Sequence, residues 1–224
     1  MNFKKNSVIS QIINLYSGSG WKSLFTKIRF WDAPYLIVEK MIPQKGYIID
    51  LGCGEGIFSN FLGISSKGRK VLGIEVDINR LKVANHGIKN VTFKWGDATK
   101  IKLPFADTII LFHVLHHLNS YEAQESVIDN CLRKLKKGGK LIIVEVEPKI
   151  SFRYFITWLT DHFIVPILFE KRLYSQIFFR NSNEWKKFIH ERDFKCNITL
   201  AEKGYPFTHV ILECQKTESK NEKG

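Results

Sequence analysis

Two kinds of side chain stand out by type and position. Carboxylates sit at or near the ends of three short apolar runs: Asp50 in "YIIDL", Glu75 in "LGIEV" and Glu145 in "LIIVEV". Histidines close or open others: His113 and His117 in "ILFHVLHH", and His209 in "THVIL". A histidine titrates near neutrality and can take up a proton without a large shift in its pKa. His113, His117, Glu145 and His209 are therefore candidate proton acceptors. His113, His116 and His117 also have the spacing of metal ligands on one helical turn. No further ligand follows in register, and Leu115 and Leu118 give the segment the character of a packing helix, so no metal is expected.

Glycines accompany the first carboxylate. Gly52, Gly54 and Gly56 follow "YIIDL" at alternate positions. Glycine tolerates positive φ and lets the backbone approach a ligand with no Cβ in the way, and a helix start beyond it offers unpaired N–H groups. The pattern is G-x-G-x-G. Ile57 stands where a dinucleotide fingerprint requires its third glycine, which argues against a nicotinamide cofactor. An aspartate at the mouth of the turn suits a ligand that carries positive charge. Glu75 lies nineteen positions after Gly56, at the end of the next strand, where a carboxylate can accept hydrogen bonds from both ribose hydroxyls. Asp77, two residues further on, reads as a cap for the following helix.

The elements around these residues alternate. "YIIDL", "KVLGIEV", "NVTFKWGD", "DTIILFHV" and "KLIIVEV" read as strands, separated by the helical patterns "IFSNFLGI", "INRLKVANHG" and "YEAQESVIDNCLRKLKKGG", the last stopped by Gly138-Gly139. Five strands alternating with helices predict a parallel, doubly wound α/β sheet. "SVISQIINLY" and "WKSLFTKIRFW" predict helices before it, with "GSG" as the turn between them. After it, "NSNEWKKFIHERD" predicts a helix capped by Ser182 or Asn183, and two strands flank "KGYP" as an antiparallel pair at the sheet edge. The expected organisation is a helical extension over 1–45, a cofactor-binding core over 46–149, an aromatic-rich helical acceptor lid over 150–192, a strand pair over 193–216 and a disordered tail over 217–224.

"DLGCGEG", followed in order by "GIEVD", "GDAT" and "FHVLHHL", resembles the class I S-adenosylmethionine-dependent methyltransferases, above all the small-molecule branch that includes enzymes of quinone biosynthesis. More loosely, the C-terminal third is similar to enzymes acting on lipid or polyketide acceptors. The resemblance covers Tyr47 to Glu147. It implies a Rossmann-like fold of seven strands, mostly parallel, and S-adenosylmethionine as cofactor. Gly52, Cys53 and Gly54 would border the methionine part, with Asp50 facing its amino group through water. Glu75 would hold the ribose, Val76 would pack on the adenine, and Asp97 and Ala98 would bind the adenine edge. His113 would lie beside the reactive methyl. The implied activity is O- or C-methylation of a small, hydrophobic acceptor. The alternatives are RNA or protein methylation, and a non-catalytic cofactor-binding partner subunit.

Composition bounds these readings. The net charge is +12, but the excess of lysine and arginine is spread along the chain. Only "RKLKKGGK" is dense, and it reads as a solvated helix end. No dedicated nucleic-acid module is visible, whereas a dispersed positive charge would favour peripheral contact with an anionic membrane surface. The four cysteines contain no CxxC pair, Cys131 reads as a core thiol, and nothing demands an oxidising compartment. No long apolar run reads as a membrane span and no signal-peptide pattern opens the chain, so a cytoplasmic location, extending to the membrane periphery, is expected.

Overall fold

The computed structural model describes residues 3–18, 20–147, 178–206 and 208–216. Three helices come first: α1 (Phe3–Leu15), α2 (Gly20–Asp32) and α3 (Tyr35–Met41). The alternating region follows as β1 (Lys45–Leu51), α4 (Ile57–Ser65), β2 (Gly68–Glu75), α5 (Ile78–Ala84), β3 (Val91–Trp95), β4 (Ala106–Phe112), a single 3-10 turn (Leu115–His117), α6 (Tyr121–Arg133) and β5 (Leu135–Val146). Helix α7 (Ser182–His190), β6 (Phe194–Ala201) and β7 (His209–Lys216) complete the described chain. Most of the expected lid, and the expected tail, lie outside the described residues.

The seven strands form one sheet in the order β3-β2-β1-β4-β5-β7-β6. All neighbours are parallel as far as β5; β7 then runs antiparallel to β5, and β6 antiparallel to β7. This is the expected architecture. The strand order reverses between β1 and β4, so their carboxyl ends diverge and open a crevice there. Both faces of the sheet are covered. Ile49, Leu51, Ile109, Leu111 and Ile143 pack on one side with α6 and α7, while Ile48, Ile110, Ile142 and Val144 pack on the other with α1, α3 and α4. Coverage of both faces explains why the central strands are nearly continuous apolar runs.

Three local expectations are corrected. Helix α6 stops at Arg133, not at Gly138-Gly139. Ala106 N–H donates to Lys134 O at 2.9 Å, and Leu135 pairs with Ala106, so "LKKGG" already belongs to β5. The cationic cluster is thus the bulged start of a strand, with Gly138 at φ 74°. The cap of α7 is Asn181, whose side chain accepts from Asn183 N–H and Glu184 N–H while Glu184 returns a bond to Asn181 N–H. Cys196 and Cys214 face each other across β6 and β7 and form a disulfide, a pairing that their separation in sequence did not suggest. Cys131 is buried, as expected.

A buried arginine secures the amino-terminal edge of the sheet. Arg69, at the start of β2, is fully buried. Its guanidinium donates to Glu39 Oε1 at 3.0 Å, Ile42 O at 2.9 Å and Pro43 O at 2.8 Å, which ties the end of α3 to the sheet. Arg69→Met should therefore cost about 3–5 kcal/mol of stability, because it removes the cation paired with a buried carboxylate. Urea denaturation checks this, and a loss below about 1 kcal/mol would contradict the structural role of the ion pair.

Candidate active site

The turn after β1 is left-handed at each of its glycines, with φ of 82° at Gly52, 56° at Gly54 and 72° at Gly56. Such angles cost about 1–2 kcal/mol per residue for a side chain bearing Cβ. Space matters as well. A Cβ on Gly52 would come within 2.5 Å of Val114 Cγ2, and one on Gly56 within 2.7 Å of Ala84 Cβ and 2.8 Å of the Phe93 ring. These two glycines therefore let protein elements pack closely. Only at Gly54 does open approach apply: there a Cβ would meet the terminal guanidinium of Arg80, at 2.9 Å.

Acidic residues hold this turn in place. Glu75, buried at the end of β2, accepts from Gly54 N–H at 2.8 Å, Val76 N–H at 2.9 Å and Asp77 N–H at 2.9 Å. A carboxylate has about four lone-pair sites, so capacity remains for a ligand hydroxyl. Asp50 is almost fully buried and accepts from Ser59 Oγ at 2.6 Å. Burial above all, opposed by the Ser59 hydrogen bond and helped by the Glu75 charge, raises its pKa to about 6. Asp77 caps α5, accepting from Asn79 N–H and Arg80 N–H. Cys53 is partly buried, and desolvation keeps its thiol protonated. The N-terminal extension also reaches this turn: Tyr16 Oη donates to Glu55 O at 2.7 Å and accepts from Asn60 Nδ2 at 2.8 Å.

Two exposed apolar side chains lie beside Glu75. Val76 is 53% and Trp95 57% exposed, and the Trp95 indole N–H donates to Val76 O at 2.8 Å. Asp97 Oδ1 accepts from Thr99 N–H and Thr99 Oγ1, which makes it a turn-former, and the Thr99 hydroxyl lowers its pKa. Ala98 is partly buried and packs against the core.

On the other side of the crevice, β4 ends at Phe112 and is followed by His113, whose φ is 54°. Left-handed backbone is uncommon outside glycine and points to a constrained site. Glu145 of β5 supports this bend. Its Oε1 accepts from Val114 N–H at 3.2 Å and Leu115 N–H at 2.9 Å, and its Oε2 pairs with His116 Nδ1. Both oxygens of this buried carboxylate are thus engaged. The His113 ring reaches across to β7, with Nε2 3.1 Å from His209 Nδ1, and His209 Nε2 is 2.7 Å from the carbonyl oxygen of Asp32 at the end of α2. Burial, then the neighbouring His209 ring, holds His113 well below the usual histidine range. Burial likewise lowers His209, to about 4. His117 lies next to His116, and burial keeps it neutral too.

The structure thus gathers the predicted residues into two groups at one edge of the sheet: Asp50, Gly52, Cys53, Gly54, Glu75 and Val76 on the β1–β2 side, and His113, His117, Glu145 and His209 on the β4–β5–β7 side. Sequence patterns missed Arg80, Ser59 and the Asp32 carbonyl. Helical periodicity placed Arg80 on α5 but gave no sign that it folds over Gly54. Two separable penalties are expected for Gly52→Ala: about 1–2 kcal/mol for a left-handed alanine and about 1–3 kcal/mol for overpacking against Val114. Adding Val114→Ala should remove only the second, apart from its own truncation cost. Denaturant midpoints of the two single variants and the double variant check this, and strict additivity would contradict the contact.

Residues 49–143 match a family described as a methyltransferase domain. A demethylmenaquinone methyltransferase of Thermotoga maritima is 25% identical over 165 residues, covering 70% of this chain and 66% of that protein. Indole glucosinolate O-methyltransferase 5 of Arabidopsis thaliana is 29% identical over 99 residues, 44% of this chain and 26% of that one. The chain thus spans less than two thirds of the length of these relatives. Among solved structures, that of the DhpI–SAH complex superposes with a TM-score of 0.66 at 17% identity, over 96% of this chain and 98% of the other. The fold, the ordered motifs and the matched domain agree: residues 49–143 of this chain match a methyltransferase domain, on the fold shared with S-adenosylmethionine-dependent methyltransferases of known structure.

Proposed function

We propose that the protein transfers a methyl group from S-adenosylmethionine to a hydroxyl of a small, apolar acceptor. The observation that carries this reading is the crevice at the strand-order reversal, with a glycine turn and two buried carboxylates on one side and a neutral histidine on the other. The donor set fits the cofactor. Glu75 has lone pairs left for ribose hydroxyls, and Val76 offers an apolar platform for the adenine, with Asp97 and Ala98 at its edge. Arg80 over Gly54 is placed to meet the carboxylate of the methionine end. Asp50 is a buried acid that no cation hydrogen-bonds among the described residues, which is where an ammonium is needed.

When bound, S-adenosylmethionine supplies a methyl group on a positively charged sulfur, reactive toward an aligned nucleophile. The chain aligns the acceptor, excludes water and receives the acceptor's proton. His113 is suited to the last task because it stays neutral at physiological pH and so always has a lone pair. A weak base works best on an acidic hydroxyl, so a phenol, enol or carboxylic acid fits better than an alcohol. Glu145 serves by holding the bend that presents His113. His117 lies one turn further on and does not enter this scheme. The demethylmenaquinone methyltransferase relative suggests a quinone-related acceptor, and the indole glucosinolate O-methyltransferase relative an oxygen nucleophile. Leu24, Ile28 and Trp31, exposed along α2, would let the protein rest on a lipid surface where such acceptors partition.

The test is an acceptor screen with a labelled methyl group on membrane and soluble extracts; absence of label in every fraction would sink the reading. For Glu75→Ala we expect S-adenosylmethionine affinity to fall by about 1–3 kcal/mol, from lost hydrogen bonds to a charged group; an unchanged calorimetric Kd would refute the ribose role. Asp50 gives a pH signature. Its raised pKa means that ionising it within the fold is costly, so bringing in an ammonium drives off its proton. Affinity should therefore strengthen from about pH 5 to about pH 7 and then level off. Asp50→Asn should flatten this profile, and an identical slope in both proteins would contradict the pairing.

A further inference from the structure

The contacts of His113 and His209 contain a directionality that distances alone do not show. The Asp32 carbonyl can only accept, so His209 Nε2, 2.7 Å away, must carry the proton and donate it. In a neutral ring, His209 Nδ1 is then a bare lone pair. That nitrogen lies 3.1 Å from His113 Nε2, and the two ring planes are within 19° of each other. His113 Nε2 must therefore carry a proton and donate it to His209. It follows that neutral His113 has no proton on Nδ1.

We propose that His209 is a positioning residue that, anchored by the Asp32 carbonyl, locks His113 as the Nε2–H tautomer and so leaves Nδ1 as the acceptor that His113 offers to the substrate hydroxyl. The role of the lock in turnover rests on the reading of His113 given above; the lock itself does not.

The fold explains how three distant segments meet. Because β7 is antiparallel to β5, it begins at the edge where β4 and β5 end, and His209 pairs with Val146. His113 N–H donates to Val144 O at 2.9 Å, which fixes it on the same stretch of β5. Asp32 comes from the last residue of α2, so the N-terminal extension supplies the fixed end of the chain of hydrogen bonds. His209 is fully buried and the Tyr205 ring packs edge-on against it. Burial holds His209 neutral, as the direction of donation requires. In the transfer the acceptor oxygen gains the methyl carbon, the S–CH3 bond breaks with its electron pair left on sulfur, and the hydroxyl proton moves to His113 Nδ1, to be released to solvent once the products leave.

Nitrogen-15 NMR of the histidine-labelled full-length protein tests the lock without any substrate. We expect His113 as the Nε2–H tautomer, with a scalar coupling across the hydrogen bond to His209 Nδ1. An Nδ1–H tautomer at His113 would overturn the proposal. In His209→Leu the preference should be lost; in His209→Asn, whose side-chain oxygen can take over the acceptor position, it should be retained. Should the leucine variant not fold, the wild-type coupling and the asparagine variant still decide. With an acceptor in hand, His209→Leu should lower kcat by about 10²-fold with KM for S-adenosylmethionine unchanged, and His209→Asn should recover most of it. A tautomer unchanged in His209→Leu, or equal loss in both variants, would contradict it. If no acceptor turns over but His113 carries the expected tautomer, the activity fails and the lock stands.

Discussion

Glu75 accepts hydrogen bonds from Gly54, Val76 and Asp77, and so binds the turn after β1 to the turn after β2. The turn after β1 could not hold its shape alone. It contains three left-handed residues, and among its backbone bonds Gly52 N–H and Cys53 N–H share one acceptor, the carbonyl of Ile74. A carboxylate buried against three N–H groups supplies the missing constraint, and charge-assisted bonds of this kind are the stronger class. Glycine content permits the turn, and the acid on the neighbouring strand fixes it.

The same device appears across the crevice. Glu145 of β5 holds the bend after β4 through Val114 and Leu115, as Glu75 of β2 holds the turn after β1. Each of the two central strands thus ends in a strained turn braced by an acid from the next strand outward. The pairing is symmetric about the strand-order reversal, where an open sheet binds its ligand. It also divides the acids by task. Glu75 keeps spare acceptor capacity, whereas Glu145 is consumed by backbone and by His116.

Much of this was legible in the sequence, and the reason is local. Strand-ending carboxylates, alternate glycines and apolar runs are patterns within a few residues, so the order of elements, the antiparallel last pair, the role of Asp77 as a cap and the core position of Cys131 could all be read from spacing. What could not be read depends on contacts between distant segments. The close packing of the glycines at 52 and 56 against Val114, Ala84 and Phe93 is one such contact. The disulfide between Cys196 and Cys214 follows from strand register, and the anchoring of His209 follows from the end of α2. The misplaced end of α6 has another cause: "RKLKKGG" has good helix formers, and pairing of Leu135 with Ala106 overrides them.

The most direct test of the central claim is a crystal structure of the protein soaked with S-adenosylhomocysteine. The nucleoside should lie in the crevice between β1 and β4, with its ribose hydroxyls on Glu75 and its amino group facing Asp50. A crevice left empty at saturating ligand, or a nucleoside bound elsewhere on the surface, would contradict the account.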